Sequence, residues 1–224
     1  MELLKHTLYI NLDSRIDRLE HVLNEFKKMD IEPERVKAVK LSNGAIGCTM
    51  SHIKCLELAK KRDYEHVFIC EDDILFLEPE LYKEKLQTLI DMKFNWDVLI
   101  VGGNTAPPYQ QITEDCIRVF HSQTTTGYIV KKHYYSTLID NFKESATKLM
   151  NEPEDKFHFA LDKYWLRLQK ENLFIMMIPP TVIQYESYSD IEEKEVKYED
   201  LMLDMEKKWL QPQFKPNVMN FFRS

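Results

Sequence analysis

The chain has 224 residues, which is enough for one large domain or for one domain with a small appendage. Apolar residues make up 44% of the sequence and aromatic residues 12%, values that exclude a mainly disordered chain and favour a packed core. With 30 Lys and Arg against 37 Asp and Glu, the net charge is -7, and this acidic balance argues against binding of duplex nucleic acid.

The sequence contains no obvious membrane or secretion signal. No apolar run approaches the ~20 residues of a membrane span, and the N-terminal segment lacks the apolar core and cleavage site of a signal peptide. The four cysteines (Cys48, Cys55, Cys70 and Cys116) show no CxxC spacing, and we interpret them as free thiols in a reducing compartment. We therefore expect a cytoplasmic protein.

Strand and helix patterns alternate in the first hundred residues. The predicted strands cover residues 7–12, 36–41, 66–70 and 96–103. Predicted helices lie between them: one over about 16–26, one from Ser51 onward after a glycine-bearing loop at 42–47, and one over 79–92. This alternation predicts a parallel sheet covered by helices.

The second half of the chain has fewer clear signals. Its predicted strands cover residues 117–120, 125–130 and 173–178, its predicted helices cover about 132–142 and 157–170, and a polar loop is expected at 145–157. From Glu192 the chain becomes highly charged. We expect one domain over residues 1–191 and a helical tail over 192–224 packed on it. Segment 207–222 is a candidate for docking on a partner or forming a homodimer.

Three adjacent carboxylates interrupt the apolar stretch VFICEDDILF: Glu71, Asp72 and Asp73. Ligands of open α/β sheets bind beyond the carboxyl ends of the strands. Residues i and i+2 of an extended chain point the same way, so we expect Glu71 and Asp73 to face one cavity and Asp72 to point elsewhere. Converging carboxylates suit a hard cation such as Mn²⁺ or Mg²⁺. The alternative is a solvated acidic turn.

Five blocks of the sequence resemble glycosyltransferase family 25. They are YINLDSRIDRLEHVLNEF (9–26), GAIGCTMSHIKCLELA (44–59), VFICEDDILF (67–76), TTTGYIVKKHYYSTL (124–138) and PPTVIQYESYSDI (179–191). That family holds lipooligosaccharide and procollagen galactosyltransferases and several giant-virus enzymes. The resemblance implies a GT-A-type α/β fold with a mixed, mostly parallel sheet, a UDP-sugar donor, a divalent metal such as Mn²⁺ or Mg²⁺, and inversion at the anomeric carbon.

The resemblance also implies roles for particular residues on the donor side. The first loop would hold the uridine of the donor through Asn11, Leu12, Asp13 and Arg15. Arg18 also matches and would support that loop.

In the second block, Ser51 and His52 match positions expected near the ribose or diphosphate, with Ser51 close to a helix N-terminus that would bind an anion. Where many relatives have an acidic residue before Ile-Gly-Cys, this chain has Ala45.

The acidic block and the late blocks complete the implied site. Asp73, with Glu71 behind it, resembles the metal carboxylate of the family, and Asp72 is expected to contact the ribose or a nearby arginine. Gln184 and Ser189 match positions that touch the donor or the diphosphate.

Inversion by direct displacement requires a general base next to the acceptor hydroxyl. Asp162 matches the late acidic residue of the family, and Glu186 and Asp190 are the alternatives. His158 is either a further metal ligand or, more simply, a hydrogen-bonded surface histidine.

We therefore expect an enzyme that transfers a hexose, galactose or glucose, from a UDP-sugar to a hydroxyl of a glycan or protein acceptor. Two alternatives stay open. One is a metal-dependent nucleotidyltransferase or phosphohydrolase that uses the same acids, although the first strand leads to Asn-Leu-Asp-Ser-Arg without a glycine-rich loop. The other is a non-catalytic module that binds nucleotide-sugars.

Overall fold

A mixed eight-stranded sheet lies at the centre of the protein in a computed structural model that describes residues 1–210. The strands of the described chain are β1 (Thr7–Asn11), β2 (Glu34–Lys37), β3 (His66–Glu71), β4 (Ile74–Phe76), β5 (Val98–Thr105), β6 (Tyr109–Thr113), β7 (Cys116–Val119), β8 (Ser122–Lys131), β9 (Phe174–Met177), β10 (Val182–Gln184), β11 (Ser187–Ser189) and β12 (Lys194–Val196). The helices are α1 (Ile16–Lys28), α2 (Gly44–Lys61), α3 (Pro79–Asp91), α4 (Tyr135–Asn151), α5 (Lys156–Phe159), α6 (Leu161–Tyr164), α7 (Leu166–Glu171) and α8 (Glu199–Leu203).

The order of strands across the sheet is β2-β1-β3-β8-β5-β9-β7-β6. The first three strands are mutually parallel, and β5 is parallel to β9, whereas β8 runs antiparallel between β3 and β5. Two small antiparallel pairs, β4 with β10 and β11 with β12, lie outside the main sheet. The expected fold class, an α/β fold with a mixed and mostly parallel central sheet flanked by helices, is confirmed.

Both faces of the sheet are covered, which explains why β3 is apolar at successive positions. Val67 and Ile69 pack in a core with α2 and α4, whereas Phe68 and Cys70 pack in a second core with α1 and α3. All four side chains are fully buried. Because side chains alternate across a strand, this burial forces the chain to be apolar until it reaches the rim of the sheet at Glu71.

Helix α2 begins earlier than the sequence predicts, at Gly44 rather than at Ser51. The Asn43 side chain accepts hydrogen bonds from the backbone N–H groups of Ala45 and Ile46 and so caps the helix. The predicted glycine-bearing loop is therefore the first turn of this helix.

Other boundaries were also misplaced by the sequence analysis. Helix α4 extends to Asn151, where a loop was predicted, and the helix predicted over 157–170 is broken into α5, α6 and α7. The sequence analysis also missed the short strands β4, β6, β10, β11 and β12.

The chain after Glu192 contains a strand, β12, as well as the short helix α8. Strand β12 pairs with β11, so residues on both sides of the predicted domain boundary share one hairpin. The boundary itself stays a prediction. Most of segment 207–222, for which docking or dimer formation was suggested, lies outside the described residues. Among residues 1–210, none of the helices combines the length and apolarity that crossing a membrane requires.

Candidate active site

A cavity of about 590 Å³ opens beyond the carboxyl ends of β1 and β3. Its wall includes Asn11, Leu12 and Arg15 after β1, the loop and first turn around α2, and all three acidic residues after β3. The lining also contains residues of α5 and α6, including Asp162, together with Gln184 and Ser189 from the late strands. The topology thus brings together chain segments that are more than a hundred residues apart.

The acidic triplet lies at the rim of the sheet, as the sequence predicts, but its side chains do not alternate. All three carboxylates line the cavity, because β3 ends at Glu71 and the chain turns at Asp72 and Asp73. The expectation that Asp72 points away from the cavity was therefore wrong. Asp72 accepts hydrogen bonds from Asn11 Nδ2 at 2.7 Å and from Arg18 Nη1 at 3.1 Å.

Asp73 is a buried carboxylate whose two oxygens differ in their hydrogen bonding. Its Oδ2 atom accepts hydrogen bonds from Arg18 at 2.9 Å and from Gln184 Nε2 at 3.0 Å, whereas Oδ1 is buried without a hydrogen-bond partner among the described residues. Burial and the neighbouring charges of Glu71 and Asp72 raise the pKa of Asp73 to about 7, although Arg18 opposes them. A free oxygen in a cluster of repelling carboxylates fits a bound cation.

Glu71 faces helix α2 at the back of the cavity. Its Oε1 atom accepts a hydrogen bond from Thr125 Oγ1 at 2.6 Å and lies 3.5 Å from His52 Nε2. Burial alone would raise the pKa of Glu71, but the His52 ring and the Thr125 hydroxyl hold it below its usual value. His52 itself is fully buried behind Glu71, with Nδ1 3.0 Å from the Tyr128 hydroxyl, and it is not part of the cavity wall.

Ser51 lies two turns into α2 and not at the helix N-terminus, although it lines the cavity together with the first residues of that helix. The hydroxyl donates to the Gly47 carbonyl at 2.7 Å and accepts from the Val39 N–H at 2.8 Å. A Cβ atom at position 47 would lie 2.4 Å from the Val39 carbonyl oxygen. The glycine and the serine therefore allow the loop after β2 to pack closely against the helix.

The first loop divides its residues between the cavity and the surface. Asn11 is buried and holds Asp72, and Arg15 binds Asp190 at 2.7 Å across the cavity mouth. Asp13, for which a donor contact is expected, does not line the cavity. Its half-exposed carboxylate pairs with Arg35 at 3.0 Å and with Lys37.

Asp162 lines the cavity from α6 and is held beside the start of β8. Its Oδ2 atom accepts a hydrogen bond from the Thr124 N–H at 3.1 Å, and burial raises the pKa of the carboxyl group. Thr124 adopts φ 66°, an uncommon conformation for a β-branched residue. Its hydroxyl is buried without a partner among the described residues.

The alternative acids and His158 occupy different surroundings. Asp190 lines the cavity but is paired with Arg15, and Glu186 does not line the cavity and lies 3.5 Å from Lys197. His158 is exposed and bound to Asp155 at 2.8 Å, which agrees with the simpler of its two interpretations.

Further polar residues lie in the cavity wall. Asn104 at the end of β5 has a buried, unpartnered Oδ1 atom, and Thr125 holds Glu71. Lys163 lines the cavity and donates to Gln123. No motif marks Lys163, whereas the run of three threonines within β8 was a signal for Thr125.

Comparison with known proteins identifies the family of the chain. Residues 37–165, more than half of the chain, match the model of glycosyltransferase family 25, described as an LPS biosynthesis family, and the chain belongs to that family.

The chain is similar to three curated proteins over part of their length. A putative glycosyltransferase of Haemophilus influenzae is 30% identical over 92 residues, which are 31% of this chain and 33% of the relative. A glycosyltransferase 25 family member of Anopheles gambiae is 24% identical over 195 residues, 72% of this chain and 31% of the relative. Human procollagen galactosyltransferase 2 is 23% identical over 158 residues, 54% of this chain and 25% of the relative. The chain thus spans between a quarter and a third of these relatives.

Solved structures show a more distant likeness. One match is a glycosyltransferase involved in glycosylation of the major capsid of PBCV-1. The matched region covers 80% of this chain and 93% of that protein, with 11% identity and a TM-score of 0.47. A mutant Drosophila β-1,4-galactosyltransferase 7 in complex with manganese, UDP-Gal and xylobiose covers 98% of this chain and is covered to 81%, with 11% identity and a TM-score of 0.40.

Proposed function

We propose that the protein is a metal-dependent, inverting glycosyltransferase that moves a hexose, galactose or glucose, from a UDP-sugar to a hydroxyl group of a glycan or protein. The observation that carries the proposal is the carboxylate cluster at the end of β3. Three acids face one cavity there, and Asp73 keeps a buried oxygen without a partner among the described residues. The name of the human relative, a procollagen galactosyltransferase, supports the choice of a hexose.

The cavity suits a donor of nucleotide-sugar size. Its volume of about 590 Å³ lies within the usual range of small-molecule sites. Asn11, Leu12 and Arg15 form the wall at which the uridine would bind, and Gln184 lies beside Asp73. Arg15 and Arg18 are largely buried cations that would offset the charge of a diphosphate.

The residues present fit a hard divalent cation. Asp73 would bind it through Oδ1, with the Glu71 carboxylate behind, and Asp72 would stay with Asn11 and Arg18. When bound, Mn²⁺ or Mg²⁺ would neutralise the departing diphosphate. Arg18 already holds Asp72 and Asp73 in place, so the carboxylates need little reorganisation before they bind an ion.

Asp162 is our choice for the general base. It lines the same cavity as the acidic triplet, so an acceptor hydroxyl that enters the cavity would meet it. The Thr124 N–H orients the carboxylate, and its raised pKa favours proton transfer from a hydroxyl group. Asp190 is neutralised by Arg15, and Glu186 lies outside the cavity wall, so neither offers the same combination.

A ligand series followed by turnover tests the proposal. We expect UDP to raise the melting temperature of the full chain when Mn²⁺ is present, and GDP and AMP to have little effect. UDP-galactose or UDP-glucose should then release UDP, slowly to water and faster with an acceptor, and an α-linked donor should give a β-configured product by NMR.

The same assay separates the alternatives. Conversion of UDP-sugar and pyrophosphate to UTP and sugar phosphate would identify a nucleotidyltransferase. Release of phosphate from UDP would identify a phosphohydrolase, and binding without any turnover would identify a binding module. A UDP effect that is equally large in a chelator would contradict the metal site.

A further inference from the structure

A second group of potential metal ligands, which includes a thiol and an imidazole, meets at the cavity wall. Cys48 and His52 come from helix α2, and Glu71 comes from the end of β3. One coordinating atom of each, the Cys48 Sγ, a His52 ring nitrogen and a Glu71 carboxylate oxygen, lies within 4.8 Å of the other two. The cysteine and the histidine are four residues apart, so they lie on the same side of the helix, one turn from each other.

His52 is already oriented as a metal ligand. The ring is fully buried, and its Nδ1 atom lies 3.0 Å from the Tyr128 hydroxyl, which fixes the ring orientation. Its Nε2 atom has no hydrogen-bond partner among the described residues and points toward Glu71 Oε1, 3.5 Å away. Histidine ligands of metals are usually held in this way by a partner on the second ring nitrogen. A buried nitrogen without a partner is also costly unless something binds it.

The spacing fits a tetrahedral zinc ion. With Zn–N and Zn–O distances of about 2.0–2.1 Å, the nitrogen and oxygen ligands of such an ion are about 3.3 Å apart. His52 Nε2 and Glu71 Oε1 are separated by 3.5 Å. A sulfur ligand with a Zn–S distance of about 2.3 Å would lie about 3.6 Å from the nitrogen, and a small rotation of the Cys48 side chain would reach that distance.

The ligand types select the metal. A thiolate and an imidazole together favour Zn²⁺ over the hard ions Mg²⁺ and Mn²⁺, which prefer oxygen. Three protein ligands leave one position of a tetrahedral ion open. Cys48 and Glu71 both line the cavity, which gives an ion an entry path and leaves room for water at that position.

We infer that Cys48, His52 and Glu71 form a site for Zn²⁺, separate from the hard-ion site at Asp73. A bound zinc ion would link α2 to β3 at the back wall of the cavity. The inference does not depend on the proposed function. Glu71 belongs to both proposals, so Cys48 and Asp73 are the residues that separate them.

Cobalt provides the optical test, because Co²⁺ occupies zinc sites and gives a near-ultraviolet charge-transfer band when a thiolate binds it. The full chain is treated with a chelator, dialysed and titrated with Co²⁺ and then with Zn²⁺. We expect one equivalent of Co²⁺ to produce the band, Zn²⁺ to abolish it, and excess Mg²⁺ to leave it unchanged. Cys48→Ser should remove the band and weaken Zn²⁺ binding by at least about tenfold.

Two variants make the result specific. Cys116→Ser, which alters a buried cysteine on β7, and Asp73→Asn should both keep the band. Each variant is first checked for a native circular dichroism spectrum, and Tyr128→Phe provides a second test because it removes only the hydroxyl beside His52. That variant should weaken Zn²⁺ binding by a smaller factor than Cys48→Ser. A folded wild-type chain without the band, or a band that survives in Cys48→Ser, would overturn the inference.

Discussion

The two sides of the cavity are built in different ways. On the sheet side, Asn11, Asp72 and Asp73 are buried at the ends of β1 and β3, and hydrogen bonds from Asn11, Arg18 and Gln184 hold the two carboxylates. On the other side, hairpin β11–β12 lies at the surface. Contacts from Arg15 to Asp190 and to the Tyr188 carbonyl help to hold it to the first loop.

The two sides are therefore expected to have different roles: the sheet side acts in the reaction, and the hairpin side closes the cavity over the substrate. The buried acids cannot move without losing packing around them, and their charges are costly unless a cation offsets them. The hairpin depends on polar contacts near solvent, each of which contributes little free energy. Substitutions on the sheet side should therefore change the reaction rate, whereas substitutions on the hairpin side should mainly change substrate binding.

Asp73→Asn should produce the largest effect. The substitution preserves the shape of the side chain but removes the charge of the proposed metal ligand. Transfer should fall by about 10³-fold or more, since a cation at the leaving group contributes several kcal/mol to the transition state. The melting temperature should no longer respond to Mn²⁺ in the presence of UDP. Glu186→Gln, an acid outside the cavity wall, is the matched control, and a metal response that persists in Asp73→Asn would place the ion elsewhere.

Asp162→Asn should have the second-largest effect on transfer. We expect kcat to fall by about 10²–10³-fold, within the range for loss of a general base, with little change in the KM for the donor. The rise in melting temperature with UDP and Mn²⁺ should remain, because Asp162 is not one of the proposed metal ligands. Steady-state kinetics of Asp162→Asn beside Asp190→Asn would show which acid is the base. A kcat close to that of the wild type in Asp162→Asn would exclude this residue.

A pH series without divalent ions should measure how much the buried Asp73 carboxylate destabilises the folded chain. The ordinary pKa of an aspartate is 3.8, and burial raises that of Asp73 to about 7 in the folded chain. The folded state therefore keeps a proton that the unfolded state releases, so this group's contribution to the free energy of unfolding falls as pH rises between those two values. Chemical denaturation of the wild type and of Asp73→Asn at several pH values measures the contribution.

The difference in unfolding free energy, wild type minus variant, should become less favourable to the wild type from about pH 4 to pH 7. Added Mn²⁺ should reduce that trend in the wild type alone. A difference that is constant with pH would show that folding does not raise the pKa of the Asp73 carboxyl group.

Much of the sheet side could be predicted from the sequence. The apolar run before Glu71 and the alternation of strand and helix patterns are local signals, and they correctly placed the acids at the rim of the sheet. The orientation of Asp72 was missed because the strand ends at Glu71, and no pattern in the sequence fixes that turn. Ser51 was misplaced because the helix, capped by Asn43, begins at Gly44, seven residues upstream of the expected start.

The other wall could not be predicted to the same degree. The φ angle of Thr124, the contact of Thr124 with Asp162, and the pairing of β10 with β4 depend on chain segments that are far apart in sequence. The short helices α5 to α7 and hairpin β11–β12 have too few residues to produce a periodic pattern. Their positions follow from packing on the finished sheet.

The smallest expected effect comes from the hairpin side. Arg15→Ala removes the ion pair with Asp190, whose side chain is 48% exposed, and frees the Tyr188 carbonyl. Because such pairs contribute about 0–1 kcal/mol, the unfolding free energy should change by less than about 1 kcal/mol. The KM for the UDP-sugar should rise several-fold while kcat stays within about twofold, because uniform binding is lost without a change at the reacting atoms.

Arg62→Ala is the matched control, since Arg62 pairs with Glu34 at the surface, and neither residue lines the cavity. It should leave both kinetic parameters unchanged. If Arg15→Ala instead lowered kcat by the factor expected for Asp162→Asn, the hairpin would have to position reacting groups, and the division between a chemical side and a closing side would fail.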